Sequence, residues 1–123
     1  MKNRPRRLEL ELHLQVVEFL DRALPADGFC HHPANEGKRT PRQGALLKRM
    51  GMRPGLPDLE IIWKGHSIWI ELKAAGATVS PVQFATIGRL VDAGCQAYIC
   101  HSLDEVIDVL KGMRIPMKAR VGV

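Results

Sequence analysis

Asp58, Glu60, Glu71 and Lys73 fall within one stretch, "GLPDLEIIWKGHSIWIELK", residues 55–73. Apolar residues alternate around them, as they do in two half-buried strands. Residues two apart on a strand share a face. Leu59, Ile61 and Trp63 therefore point one way, and Ile68, Ile70 and Leu72 join them across a hairpin to make a core face. The acids and the lysine share the other face. With a two-residue turn at Gly65-His66, Glu60 stands opposite Glu71 and Asp58 opposite Lys73. Like charges directly opposite destabilise a strand pair, and charged groups are seldom buried without a partner. A divalent cation removes that repulsion. Mg²⁺ takes one or two carboxylates and completes its shell with water and phosphate oxygens. A lysine on the same face can hold an attacking water or neutralise charge building on phosphorus. A solvent-facing strand pair with an ordinary Glu–Lys contact has the same spacing, so on spacing alone both readings stand.

The elements that must position these residues can be read in order. Leu8, Leu12, Val16, Phe19, Leu20 and Ala23 recur at helical spacing, and Pro25 and Gly28 stop that helix. "FCHH" reads as a short strand. Thr40 before Pro41 is an N-cap and first-turn pair opening a short basic helix that Gly51 ends. Strands near 58–64 and 67–73 follow. Ser80, Pro81 and Gln83 form a capping box for a helix running to Gly94. "CQAYIC" is a further strand, and "SLDE" a second capping box opening "VIDVLKG". The tail "MRIPMKARVGV" shows no period, and Met113, Ile115, Pro116 and Met117 have no evident place in the core pattern. This order predicts an α/β fold with a central mixed sheet flanked by helices. One domain is expected over 1–123, its core about 8–112, between a flexible basic N-terminus and a C-terminal tail.

Composition narrows the function classes. Hydrophobic residues at 46% and charged residues at 25% are ordinary for a soluble globular chain. No apolar run approaches a membrane span, and the basic start lacks the apolar region of a signal peptide. Cys30, Cys95 and Cys100 are too few and irregular for a disulfide framework, which points to the cytoplasm. With His31, His32 and His101 they also lack zinc-ligand spacing, so zinc is rejected. The net charge of +5 is concentrated at Arg4, Arg6 and Arg7 and at Lys38, Arg39, Arg42, Lys48, Arg49 and Arg53. That is the footprint of a polyanion binder, although charge alone fits a solubilising surface equally well. Aromatic residues make up 5%, too few for base stacking on aromatic platforms to be the main mode.

The proline-aspartate at 57–58 followed by Glu-X-Lys at 71–73 resembles the signature of the PD-(D/E)XK nuclease superfamily. The wider context resembles its virus-type replication-repair nuclease (VRR-NUC) branch, through "ELHLQ", "HHPANEGKR", "GMRPGLPD" and "SPVQ" in that order. The resemblance implies a restriction-endonuclease-like fold. It implies Asp58 and Glu71 as metal ligands, with the backbone carbonyl of Leu72 as a third, and Lys73 as the catalytic lysine. Glu11 matches the first-helix glutamate, reaching the metal through water, and Gln83 matches an auxiliary polar residue. Its place in a capping box gives Gln83 a structural reading as well. Glu60 departs from the pattern, which has an apolar or variable residue there.

The implied activity is that of a Mg²⁺- or Mn²⁺-dependent DNA endonuclease leaving a 5′-phosphate and a 3′-hydroxyl. Beside such a site Lys38, Arg39, Arg42, Lys48, Arg49 and Arg53 are expected to contact backbone phosphates. A bare domain of this kind resembles stand-alone viral and bacterial members, acting at the nucleoid of a bacterial or phage-infected cell. A homodimer that resolves Holliday junctions is the leading expectation, with the 113–117 tail contributing to its interface. The alternatives are a flap- or nick-directed repair nuclease, a restriction-like nuclease, or a DNA-binding module without catalysis.

Overall fold

The computed structural model describes residues 4–33, 37 and 39–118. In chain order the elements are α1 (Arg4–Ala23), β1 (Gly28–His31), α2 (Pro41–Arg49), β2 (Leu59–Trp63), β3 (His66–Leu72), α3 (Pro81–Asp92), β4 (Gln96–Cys100) and α4 (Leu103–Gly112). The alternating hairpin lies at the centre of the sheet, whose order is β1-β2-β3-β4. β1–β2 and β2–β3 are antiparallel, and β3–β4 is parallel. A parallel pair needs a crossover, and α3 supplies it. The expected mixed sheet flanked by helices is therefore the fold observed.

The apolar face behaves as the alternation requires. Leu59, Ile61, Ile68, Ile70 and Leu72 are buried against Val16 and Leu20 of α1 and Val106 and Leu110 of α4. Fully burying a side chain of this size contributes about 1.5–3 kcal/mol, so this layer holds the sheet in place. Thr40 and Ser80 each cap their helix in a complete capping box with Gln43 and Gln83. At Ser102 only half of the expected box forms. Its side chain accepts from the Glu105 N–H, but the Glu105 carboxylate turns to the His101 N–H, one residue earlier.

The hairpin register differs from expectation. The turn residues are Lys64 and Gly65, with φ of 50° and 76°, fitting the mirror-image turns that strand twist favours. Pairing thus shifts by two residues: Leu59 faces Ile70 and Glu60 faces Trp69. A shift of two keeps every side chain on its face, which is why the core is unaffected. The charges are re-paired, however. Glu60 no longer opposes Glu71, and continuing the register one step past Leu59 puts Asp58, rather than Glu60, level with Glu71.

Both chain ends also differ. Arg4, Arg6 and Arg7, expected in a flexible arm, stand in the opening turns of α1. The tail after α4 folds back onto the core. Ile115 is 3% exposed and belongs to the core cluster, with Met113 and Met117 packed against it. The Lys118 N–H donates to the Ala23 carbonyl at 2.8 Å. Bonds from the Ile115 N–H to the Leu110 carbonyl and from the Arg114 N–H to the Lys111 carbonyl close α4 in a Schellman motif. Arg114, at φ 58°, takes the left-handed position usually held by glycine. A residue buried in this way is not available to a dimer interface, which removes Ile115 from that role.

Gly55 sets the path of the chain into Asp58 and β2. It adopts φ +78°, and a Cβ there would lie 2.7 Å from the Val82 carbonyl oxygen and 3.0 Å from Thr86 Oγ1. Gly55→Ala is expected to destabilise the protein by about 1–3 kcal/mol, because both the clash and the left-handed backbone oppose it. Urea denaturation of the two proteins checks this; equal midpoints would show that the loop relaxes freely away from α3.

Candidate active site

Asp58 stands just before β2 and is tied to the neighbouring strand: its Oδ2 accepts from the Leu72 N–H at 2.8 Å. His32, one residue beyond β1, hydrogen-bonds through Nδ1 to the Asp58 carbonyl oxygen. The aspartate is thus held through both its side chain and its backbone. Glu71, on β3, is 3% exposed and is the only charged residue among the buried described residues. Lys73 Nζ lies 3.4 Å from Glu71 Oε2. Gln83 Nε2 donates to the same oxygen at 3.1 Å, while Gln83 Oε1 accepts from the Ser80 N–H at 2.9 Å. The two readings of Gln83 are therefore one arrangement, in which the capping box fixes the side chain and aims its amide at Glu71.

Burial is the main force on the Glu71 carboxyl, and the charge of Asp58 adds to it. Together they push its pKa up to about 7, against a smaller opposite pull from Lys73. Two acids and one cation sharing a water-poor edge favour either a proton or a further cation.

The first helix brings Glu9, and not Glu11, to the cavity beside Asp58. A cavity of about 490 Å³ is lined by Arg6, Glu9 and His13 of α1 together with Asp58 and Leu72. Glu9 Oε2 accepts from the Ala74 N–H at 3.3 Å, just past the Glu-X-Lys run. Glu11 is exposed and does not line this cavity. Two residues along an α-helix turn the side chain by about 200°, so both cannot face the same site. Glu9 and His13 extend the buried stripe of Val16 and Leu20, and that phase was the signal in the sequence. The His13 ring meets His32 edge-on at 4.8 Å, joining α1 to the residue that holds Asp58.

Glu60 leaves the group. Its Oε1 pairs with His31 Nε2 at 2.7 Å and its Oε2 accepts from Ser67 Oγ at 2.5 Å. Both oxygens are engaged away from Asp58 and Glu71, which accounts for an acid on this sheet face without a metal.

Of the basic residues, Lys38 lies outside the described residues. Arg42, Lys48 and Arg49 are exposed on α2, a helix with no buried residue, and Arg39 and Arg53 flank it. Arg39 Nη1 approaches Met52 Sδ at 3.1 Å. Burial raises the Cys30 and Cys100 thiols to about 12 and about 11, leaving them neutral.

Among the described residues no three His, Cys, Asp or Glu side chains form a ready cage for an ion. Asp58 and Glu71 instead offer hard oxygen donors to an ion that completes its shell with water and phosphate. That donor set suits Mg²⁺ or Mn²⁺.

Among the described residues no helix is long and apolar enough to cross a membrane. No curated protein matches the chain. Solved structures share its fold, two of them as follows. One, a VRR-NUC domain protein, is 24% identical with a TM-score of 0.69, covering 89% of this chain and 90% of its own. The other, a VRR-NUC domain, is 16% identical with a TM-score of 0.52, covering 87% and 94%. The family model of the VRR-NUC domain matches residues 17–104, taking in Asp58, Glu71, Lys73 and Gln83. With that match, the chain belongs to the VRR-NUC family and is a nuclease domain of the PD-(D/E)XK type.

Proposed function

We propose that this protein is a metal-dependent, structure-specific DNA endonuclease whose site is built from Asp58, Glu71, Lys73, Gln83 and Glu9. The observation that carries the reading is the buried Glu71 carboxylate, level with Asp58 and within 3.4 Å of the Lys73 ammonium. A solvated strand surface has no reason to bury an acid beside another acid. Asp58 and Glu71, with the Leu72 carbonyl, would hold Mg²⁺ or Mn²⁺. When bound, such an ion supplies Lewis-acid stabilisation of phosphate charge and lowers the pKa of water. The chain's own groups do the rest. Gln83 fixes Glu71, and His32 with the Leu72 N–H fixes Asp58. Lys73 positions the water for in-line attack, and Glu9 lies across the cavity where it can accept a proton or orient that water. Cleavage of linear, flapped and four-way DNA, with and without Mg²⁺, tests this. Absence of cleavage on every substrate in Mg²⁺ and Mn²⁺ would sink it.

A four-way junction needs cuts on two strands related by two-fold symmetry, which a C₂ homodimer provides. With Ile115 taken into the core, the surface for such a dimer is the outward side of α3, where Phe84 is 70% and Val91 50% exposed. Sedimentation of the protein and of Phe84→Glu tests the assembly, with a dimer expected for the first and a monomer for the second. A monomer that prefers single flaps would favour the repair-nuclease alternative, acting on DNA at the nucleoid either way.

The exposed cations of α2 are assigned to phosphate contact. Reversing Lys48 and Arg49 to glutamate should weaken binding to all sequences alike and reduce the slope of log K against log salt by about 2, since each lost contact removes about 0.9. An unchanged slope would place α2 away from DNA.

A further inference from the structure

Beside the catalytic stretch lies a groove of about 550 Å³, within the range of small-ligand sites. One wall is the loop bearing Pro54 and Leu56, and the other is α3 with Val82, Ala85 and Leu90; Arg53 and Arg89 supply its charge. None of these residues belongs to the metal-binding group. We infer that this groove is a subsite for one unpaired nucleotide next to the scissile phosphate, so that the enzyme selects DNA by local strand separation. This deepens the nuclease reading and rests on it.

The argument begins with the lining. Its aliphatic and proline side chains offer an apolar surface to a flat, apolar face, and every nucleobase has such a face. A base inside a duplex keeps that face stacked on its neighbours and cannot present it. The arginines match the phosphates on either side of the base and can also stack on its plane. Apart from the two arginines the lining is apolar or spent, Thr86 Oγ1 giving its proton to the Pro54 carbonyl at 2.7 Å. Selection should therefore depend on pairing state more than on base identity.

Rigidity and position support the same occupant. The Thr86–Pro54 bond pins the walls together, and Gly55, which leaves no room for a Cβ against the Val82 carbonyl, seats the loop tightly on α3. Walls held in place in this way lower the ordering cost of binding. Both walls lead directly to the chemistry. Leu56 is two residues before Asp58, and Val82 adjoins Gln83, which holds Glu71. A nucleotide lodged here belongs to the strand being cut.

The test uses the full chain in EDTA, comparing affinities for a flapped duplex and a continuous duplex of equal length by fluorescence anisotropy. Arg89→Ala removes a cation, and Ala85→Trp fills the groove from an exposed position that demands no core rearrangement. Each is expected to lower the flap-over-duplex affinity ratio by about tenfold, whatever the unpaired base. A 2-aminopurine at the first unpaired position should brighten on binding to the unmodified protein and fail to do so with Ala85→Trp. An unmoved ratio would overturn the subsite. So would equal losses on both DNAs, which would mark Arg89 as a general phosphate contact or, if Ala85→Trp also dissociates a dimer, the groove as a subunit interface. Cleavage by the unmodified enzyme in Mg²⁺ separates the two levels. Cleavage with an unmoved ratio overturns the subsite alone, whereas no cleavage of any DNA overturns the nuclease reading and this inference with it.

Discussion

Glu71→Gln should lower cleavage on the order of 10³-fold, about 4 kcal/mol of barrier, while making the metal-free protein more stable at pH 8. The loss of activity follows from exchanging a charged oxygen ligand for an amide that binds Mg²⁺ or Mn²⁺ far more weakly. The gain in stability follows from the environment of the acid. Glu71 is buried beside Asp58, and its pKa is raised from the ordinary 4.5 to about 7. A carboxyl whose folded pKa lies above its unfolded one contributes stability that is fully present below about 4.5. That stability is lost as pH climbs through about 7. Glutamine never ionises and escapes the loss, so the variant should exceed the parent by about 1–3 kcal/mol at pH 8 in EDTA, with little difference near pH 4. Urea titrations at the two pH values measure this. A variant no more stable than the parent at pH 8 would show that Glu71 is solvated or already compensated. Asp58→Asn should lose cleavage to a similar degree and, by removing the neighbouring charge, relax Glu71 toward an ordinary carboxyl.

That the acids belong on one sheet face was legible in the sequence, because a strand period of two survives any even error in register. The helix starts at Thr40 and Ser80 were legible because a cap, a proline and a glutamine act within a few residues. The unread features depend on longer-range or rarer geometry. The turn position is hidden because Lys64 takes a left-handed conformation that residue type does not announce. With it went the partner of Glu60, which is found only when β1 and β3 are laid beside β2. The return of the tail is hidden for a similar reason: Arg114 fills a position where glycine would signal a helix end with a return to the core. The choice of Glu11 over Glu9 rested on resemblance, whereas the phase of the helix, set by burial of Val16 and Leu20, turns Glu9 to the site.

Lys73→Met should reduce turnover by about 10²–10⁴-fold, the usual span for losing a group that handles the attacking water or its proton. It should leave Mn²⁺ affinity at pH 8 within about threefold, because two effects of removing the ammonium oppose each other. The Nζ atom lies 3.4 Å from Glu71 Oε2, so its charge repels a cation bound by that carboxylate, and its loss favours the ion. The same charge pulls the Glu71 pKa downward, so its loss strengthens the proton as a competitor. Methionine keeps much of the stem that packs here, where the lysine side chain is 14% exposed, and this limits the structural damage. Calorimetric titration with Mn²⁺ alongside single-turnover cleavage separates the two quantities. Turnover lost with affinity retained assigns Lys73 to the nucleophile. Affinity lost by an order of magnitude or more would make it a support for Glu71, and Glu9, facing the same cavity as Asp58, would become the leading group for activating the water.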